Sequence, residues 1–475
     1  MKPERETQAN QGQRCFDPQH SDPEDTAGFD PGGQPGSKPE PGVSESFDPE
    51  TFLDSLEPIG WKLGLERMEA LCDELGRPQD RFGTIHVVGT NGKSSVARMT
   101  AALLQTQGLR AGCMVSPHLS SWSERVMVAG RQLEPGSFAA AVRRTAAAAN
   151  LVNSRLEPEG SLTQFEISSA AGFLALAEAD VDVAAIEAGL GGRLDATNSI
   201  NSAVTVLTSI GLDHTEWLGD TEVEIAAEKL AVLRPGTVLV LGRVTADVRE
   251  LALKGSVARG CRVVEPGEDL PVGLRLQSPA LYQRWNFALA VAAAEQYLEA
   301  TASLADEPSS PVAHERSRLP PEALRAAAGA AAVPGRLERI CDEPPVFIDV
   351  AHNRSAAAAL AASVPEVAAG SPVVGLVGIL DDKDAGGIIA ELAPVLDCVV
   401  FTGLPAELLA GSARPGAKGR HPEDLKRLAG DVGLEAEVRA EPAQALERAK
   451  LLAIEKGGLV LVAGSHYLLS PDRGT

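Results

Sequence analysis

Aromatic side chains are scarce in this chain, only 4% of its 475 residues, so its core has to be built from aliphatic side chains. Cysteine is equally thin. Its six copies (Cys15, Cys72, Cys113, Cys261, Cys341, Cys398) form no C-x-x-C pair and no Cys/His cluster. That excludes a disulfide framework or a zinc site and favours a reducing cytoplasm. No stretch reaches the run of about 18 apolar residues that spans a bilayer, and the start, MKPERETQAN, has no apolar signal core, so neither membrane attachment nor a leader is expected. Basic residues are outnumbered 43 to 65, a net charge of −22. A field of that sign repels phosphate backbones and excludes a general nucleic-acid binder.

What is present is an ordinary globular mix, 44% hydrophobic and 23% charged, in a chain long enough for two or three domains. Residues 1–48 stand apart: rich in Pro, Gly, Ser and Gln and poor in large aliphatics, they cannot bury enough apolar surface to offset chain entropy. They are expected to form a disordered acidic tail, in which Phe-Asp-Pro occurs three times (Phe16, Phe29, Phe47) as a chance repeat or a docking motif. From Phe52 a helical apolar face begins, broken near Pro58 and Gly60. Strand, glycine turn and helix then alternate in TIHVVGTNGKSSVARMTAALL, VDVAAIEAGLGG, SAVTVLTSIGLDH and EIAAEKLAVLRPGTVLVLG. Nearly continuous apolar strands alternating with helices predict a mostly parallel sheet covered on both faces. After a Pro/Ser/Ala-rich stretch over 300–333, with a short helix over 321–332, a smaller α/β set follows in PVFIDVAH, PVVGLVGIL, CVVFTGL and GLVLVAGS. The expected division is 1–48 tail, 49–333 first domain and 334–475 second domain.

The strongest chemical signal is Gly89-Thr90-Asn91-Gly92-Lys93-Ser94-Ser95, between the strand IHVV and a helix. Glycines let backbone N–H groups turn toward phosphate oxygens, the helix N-terminus adds a favourable dipole, and Lys93 brings a point charge. The glycine spacing is shorter than in the commonest phosphate loop, but the strand before and helix after are those of a P-loop. Glu187 and His214 fall at the carboxyl ends of two other predicted strands, where an open parallel sheet forms its ligand crevice. A carboxylate and an imidazole beside a phosphate loop suit a divalent ion that bridges phosphates.

The segments GTNGKSS, SPHLSSWSERV, TQFEISSAAGFLAL, IEAGLGGRLDATN, SIGLDHTEWLG, AAEKLAVLRPG, VPGRLERI, DVAHNRSA and LVGILDDKD occur here in the order found in the folylpolyglutamate synthase and dihydrofolate synthase family, within the Mur ligase superfamily. The chain resembles that family from about Phe52 to Tyr467. The resemblance implies a P-loop central ATPase domain followed by a smaller Rossmann-like domain. It also implies a cytoplasmic, monomeric ligase that uses ATP and Mg2+, with K+ as a further cation, to join L-glutamate to dihydropteroate or a folate through an acyl phosphate.

Carried over on that resemblance, Thr90, Asn91, Gly92, Lys93, Ser94 and Ser95 correspond to the ATP phosphate loop. Ser116, Glu187 and His214 correspond to the magnesium ligands, and Ser94, where the family usually has Gly, is an additional candidate. Lys229 matches a lysine commonly carried as a carbamate. Arg336 matches the hinge arginine that reaches ATP, Asp349 the ribose carboxylate, and Asn286 an adenine-side asparagine, although Tyr282-Gln283 replaces the usual His-Gln. His352 lies near the phosphates in a segment where Val350 and Arg354 depart from the usual Gly and Pro, so altered packing is expected there. Thr163, Phe165, Glu166, Arg193, Leu194 and Asp195 resemble the pterin-proximal segments, and Lys383-Asp384 implies a structural or glutamate-side role. Two alternatives stay open: a Mur-type ligase acting on a UDP-muramoyl substrate, disfavoured by the lack of room for a UDP-binding domain before the loop, and a catalytically silent nucleotide-binding regulator. The second is disfavoured because a pure binding module needs no set such as Lys93, Glu187, His214, Lys229 and Arg336. The anionic substrates call for a locally positive crevice in an acidic protein.

Overall fold

The computed structural model of the chain describes residues 47–56, 64–155, 160–267, 270–305, 318–405, 408–409 and 417–469. The acidic segment predicted over 1–48 lies outside these residues except for its last two, and those two correct its boundary. Asp48 caps the helix Pro49–Asp54 by accepting from the Glu50 and Thr51 N–H groups, with Pro49 in the first turn and the Phe47 ring 5.4 Å from that of Phe52. A carboxylate cap, an N-terminal proline and a flanking apolar staple are the standard start of a helix. The third Phe-Asp-Pro copy is therefore a helix start; the first two, and the predicted break near Pro58 and Gly60, lie outside the described residues.

Two sheets organise the rest. The first has the order β4-β3-β2-β5-β1-β6-β7-β8, built from β1 (Gly83–Val88), β2 (Ala111–Met114), β3 (Val126–Val128), β4 (Arg131–Gln132), β5 (Val183–Glu187), β6 (Val204–Ser209), β7 (Val238–Arg243) and β8 (Arg262–Val264). Its pairs are parallel except for β2–β3 and β3–β4 at one edge. The second has the order β13-β12-β11-β14-β10-β9, from β9 (Glu338–Asp342), β10 (Pro345–Ile348), β11 (Val373–Val377), β12 (Cys398–Phe401), β13 (Ala436–Val438) and β14 (Leu459–Ala463). Only the edge pair β9–β10 is antiparallel there.

The central strands β1, β5 and β6 are buried along nearly their whole length, as continuous Val/Ile/Leu/Ala runs require when helices cover both faces. One face packs on the helices Lys93–Gln105 and Leu281–Ala305 through Leu103, Leu104, Ala290, Ala293 and Ala294. The other packs on Pro135–Arg155 and Gln164–Glu178 through Val142, Phe173 and Leu176. Small alanines let these helices approach closely. The few aromatics are spent where volume matters most, since Phe173, Phe287 and Phe401 are among the largest fully buried side chains.

Candidate active site

The carboxyl ends of β1, β5, β6 and β7 open toward the second sheet unit, and the loops between form one cleft of 1510 Å3. That exceeds the roughly 300–1,000 Å3 usual for a single small ligand, so it has room for a nucleotide together with a second substrate. The candidate site residues line this cleft except Arg193 and Asp384.

The phosphate loop follows from its glycines. Gly89 (φ 149°) and Gly92 (φ 86°) adopt conformations that side chains rarely take, and a Cβ on Gly92 would sit 2.6 Å from Asn286 Oδ1. Gly92 caps the helix Lys93–Gln105, so the N–H groups of its first turn are free of helical partners. The loop is pinned from β6: Asn91 N donates to Ser209 Oγ (3.1 Å) and Thr208 Oγ1 donates to Asn91 O (2.6 Å). Lys93 Nζ donates to Thr90 O (3.2 Å) and lies 4.0 Å from Glu187 Oε1.

Glu187 ends β5 almost fully buried, at 3% exposure. Burial raises its carboxyl pKa, while Lys93, the Ser116 N–H (3.0 Å from Oε2), the Ser94 hydroxyl and Arg336 favour the ionised form. The Ser95 hydroxyl is buried with no partner among the described residues. A buried carboxylate, the serines 94 and 116 and an orphaned hydroxyl beside a phosphate loop are hard oxygen donors, which fits a small divalent cation. His214 caps the short helix Thr215–Leu218 in a left-handed conformation, with Nε2 3.7 Å from Asp213 Oδ1. It lines the same cleft, with its ring on the Asp213 side.

Lys229, in the last turn of the helix Glu222–Leu230, is 5% exposed. Burial and the nearby Lys93 charge push its pKa down to about 7, against the opposing pull of Asp195, Asp213 and Glu228. Arg336 donates to the carbonyls of Pro334 and Gly335 (3.3 and 3.2 Å). Asp349 is buried and already takes three protein donors: Tyr282 Oη (2.5 Å), Leu337 N (2.9 Å) and Ala351 N (2.9 Å). The Tyr282 that stands where a histidine was expected thus holds Asp349. Asn286 donates to Gln283 Oε1 (2.8 Å) and packs on Gly92.

The pterin-side candidates divide. Phe165 lies against the Gly189 backbone, where a Cβ would overlap its ring, and Leu194 is exposed in the cleft. Thr163 and Glu166 form a reciprocal capping box for the helix Gln164–Glu178, and Glu166 also pairs with Arg67 at 2.9 Å. Asp195 accepts from Leu190 N and from Thr197 N and Oγ1, which fixes the glycine loop after β5. Arg193 pairs with Glu228, a residue of the cleft wall, at 3.1 Å; its own side chain is 57% exposed and does not line the cleft.

Sequence reasoning passed over Asp213 and Arg125. Asp213 faces His352 Nε2 (3.5 Å), Asn353 Nδ2 (2.9 Å) and Lys383 Nζ (2.5 Å) across the cleft. Burial works to raise its pKa, but the His352 hydrogen bond and the charges of His352, His214 and Lys383 outweigh it and hold the carboxyl well below the usual range. Arg125, in the SERV segment, is a half-buried guanidinium 3.9 Å over the Trp122 ring, pushed down to about 10 by desolvation. Arg354, in the segment where altered packing was expected, pairs with Glu391 (2.9 Å).

A phosphate loop on one α/β unit, facing an arginine and a carboxylate from a second unit across a cleft sized for two ligands, is the layout of a nucleotide-dependent ligase. Residues 87–242 match the Mur ligase middle domain and residues 335–466 the glutamate ligase domain of Mur ligases. A dihydrofolate synthase/folylpolyglutamate synthase of Mycobacterium tuberculosis is 36% identical over 387 residues, covering 74% of this chain and 75% of its own. One from Bacillus subtilis is 31% identical over 378 residues, covering 74% and 84%. Among solved structures, M. tuberculosis folylpolyglutamate synthase complexed with ADP and AMPPCP superposes with a TM-score of 0.75 at 32% identity, over 88% of this chain and 95% of that one. A bifunctional folylpolyglutamate synthase/dihydrofolate synthase with Mn, AMPPNP and L-glutamate bound gives 0.68 at 27% identity, over 88% and 94%. The chain belongs to the dihydrofolate synthase/folylpolyglutamate synthase family and is an ATP-dependent ligase that joins glutamate to folate-type acids. Among the described residues no helix is long and apolar enough to cross a membrane.

Proposed function

We propose that the chain performs both family reactions, adding the first L-glutamate to dihydropteroate and extending the glutamate tail of a reduced folate, in a reducing cytoplasm. The first unit, 49–333, presents ATP and the second, 334–475, closes over it. The observation that carries this reading is Lys93 of the phosphate loop 4.0 Å from buried Glu187, in a cleft roofed by the second unit.

The chemistry follows from what a carboxylate lacks, which is a leaving group. A carboxylate oxygen of the acceptor attacks the γ-phosphorus of ATP, the bond to the bridging oxygen breaks, and ADP departs with that electron pair. The resulting acyl phosphate is then attacked by the neutral amine of L-glutamate, an amide forms, a proton is released and phosphate leaves. Lys93 neutralises charge on the transferring phosphoryl and Arg336 reaches it from the hinge. Ser116 and Glu187, with His214 and with Ser94 as a further donor, would hold Mg2+, which supplies charge neutralisation at the phosphate oxygens. Lys229, about half neutral near pH 7, is suited to take up CO2 as a carbamate and become a further cation ligand, with K+ as a further candidate ion. Asn286 and Asp349 serve the nucleoside. Phe165 and Leu194 serve the planar ring of the folate-type substrate, with Thr163, Glu166 and Asp195 shaping that wall.

The test is ADP release with dihydropteroate, tetrahydrofolate and UDP-muramoyl peptides, each with and without L-glutamate. Glutamate-dependent release is expected with the first two. A response to the muramoyl substrate alone would overturn the reading.

A further inference from the structure

Asp213 and Lys383 form a nearly buried ion pair (side chains 7% and 5% exposed) between two loops that belong to different sheets. Asp213 follows β6 of the first, and Lys383 precedes the helix Ala385–Leu392 after β11 of the second. The other oxygen of Asp213 accepts from Asn353 Nδ2 at 2.9 Å, and Asn353 is the N-cap of the helix Arg354–Ala368. Asn353 does not stop there. Its amide and that of Asn91 in the phosphate loop exchange two hydrogen bonds, Asn353 Nδ2 to Asn91 Oδ1 (3.0 Å) and Asn91 Nδ2 to Asn353 Oδ1 (3.2 Å), while Asn91 Nδ2 also reaches Ser355 Oγ (3.0 Å). Gly211 leaves the room for this approach, since a Cβ there would lie 2.6 Å from Ser355 Oγ. A continuous polar chain therefore runs from Lys383 through Asp213 and Asn353 to the middle of the phosphate loop.

Such a chain is poorly designed for stability and well designed for registry. Taking both charges out of water costs about what their attraction returns, so the net gain is small. If Lys383 is removed, the nearly buried Asp213 keeps the Asn353 amide, His352 (3.5 Å) and His214 (3.7 Å) as partners, and separating the two units relieves the lost compensation by letting water in. The pair thus favours one relative placement of the units over neighbouring ones. The amide exchange transmits that placement to Asn91, whose backbone fixes the loop that ends at Lys93. A displacement of about 1 Å at the reacting atoms can cost on the order of 100-fold in rate.

We propose that Lys383 is a positioning residue of the ligation reaction: paired with Asp213 across the cleft, it sets Asn353 and through it phosphate-loop Asn91, so that the loop takes its reactive geometry only when the second sheet unit is docked. This rests on the ligase reading above and adds a device to it. The phosphate loop and Asn286, with Asp349 held at the hinge by Tyr282 and Leu337 N and with Arg336 beside it, can bind nucleotide without the pair, whereas phosphoryl transfer needs it.

The experiment compares wild type, Lys383→Met, Lys383→Arg and Asn353→Ser for ADP affinity, for kcat and KM, and for radius of gyration by small-angle X-ray scattering. Lys383→Met keeps the length of the side chain without its charge; it is expected to lower kcat at saturating substrates by about 100-fold, change ADP affinity less than about 3-fold, and enlarge the radius of gyration. Lys383→Arg should recover part of the rate. If Lys383→Met fails to fold, Asn353→Ser, which keeps a helix cap but breaks the bridge to Asn91, must show the same split between kcat and ADP affinity. Wild-type kcat in Lys383→Met, or losses of rate, ADP affinity and melting temperature in parallel, would overturn the proposal. If wild type itself released no ADP with any acceptor, the ligase reading would fail. The scattering comparison still decides the latch in that case: an unchanged radius in Lys383→Met refutes it.

Discussion

Lys229 offers the sharpest test, because its burial turns an ordinary lysine into a group poised at neutral pH. Its pKa stands at about 7, against the 10.5 of an ordinary lysine, with desolvation as the main cause and the Lys93 charge as the second. For a lysine this sign means that the folded protein disfavours the protonated form. Between about pH 7 and 10.5 the unfolded chain binds more protons at this position, so the contribution of this group to stability rises with pH across that window and is lowest below it. Only the neutral amine attacks CO2: the nitrogen lone pair forms the N–C bond, one N–H proton goes to solvent and an N-carboxylate remains. At a pKa of about 7 the neutral fraction is roughly 9% at pH 6 and roughly 91% at pH 8, a tenfold rise, whereas an ordinary lysine stays below about 1% throughout. The assay is ADP release at pH 6, 7 and 8 under constant CO2 pressure, against CO2-free buffer, together with 13C incorporation from labelled CO2. Wild type should lose most of its activity on CO2 removal and regain it on re-addition. Lys229→Ala should be inactive and partly rescued by short carboxylates. Activity indifferent to CO2, with no 13C on the protein at pH 8, would refute the reasoning.

Three other outcomes follow from the same geometry. Gly92→Ala forces φ 86° on a side chain and puts a Cβ 2.6 Å from Asn286 Oδ1; a strain of about 1–3 kcal/mol at the loop should weaken ADP binding about 10-fold or more, measured calorimetrically, with circular dichroism unchanged. Lys93→Ala should leave the fold intact and lower turnover by roughly 100- to 1,000-fold, the range for losing one charge-stabilising group, and retained turnover would reject its role. Phe173, fully buried between the first sheet and its covering helices, should cost about 3–5 kcal/mol as Phe173→Ala, read by urea denaturation.

Much of the site was legible because it sits where periodicity changes. Apolar runs that end in Gly, Glu or His mark the carboxyl ends of parallel strands, so Lys93, Glu187 and His214 could be placed in one crevice before any coordinate. What stayed hidden depends on contacts between segments far apart in the chain. Tyr282 read as a departure from the expected nucleotide contact, but its hydroxyl holds Asp349, 67 residues away. Glu166 and Asp195 have the residue types of a binding wall, and their carboxylates are taken up by a helix cap and a glycine loop. No spacing rule reveals that Leu194 lines the cleft while Arg193 beside it pairs with Glu228. Asp213 was overlooked because a neighbouring histidine is the more conspicuous metal ligand.

The expectation of a positive crevice needs revision in the same spirit. Among the described residues the cleft lining contains nine Lys and Arg side chains but twelve Asp and Glu, so these charges do not by themselves attract ATP, glutamate and a folate tail. Several of those acids are committed within the protein: Glu166 to Arg67, Asp213 to Lys383 and Asp349 to Tyr282. Glu187 is different, because it is buried, pushed toward its neutral form and only partly compensated by Lys93 at 4.0 Å. A carboxylate in that state favours a bound cation, and a cation bound there brings anionic phosphate to a protein of net charge −22. Anion binding in this cleft therefore depends on cation binding first. Nucleotide affinity should fall steeply when divalent ions are chelated, and in Glu187→Gln it should lose most of its dependence on them. Tight ADP binding to wild type in excess chelator would show that the lysines, the arginines and the loop N–H groups suffice alone.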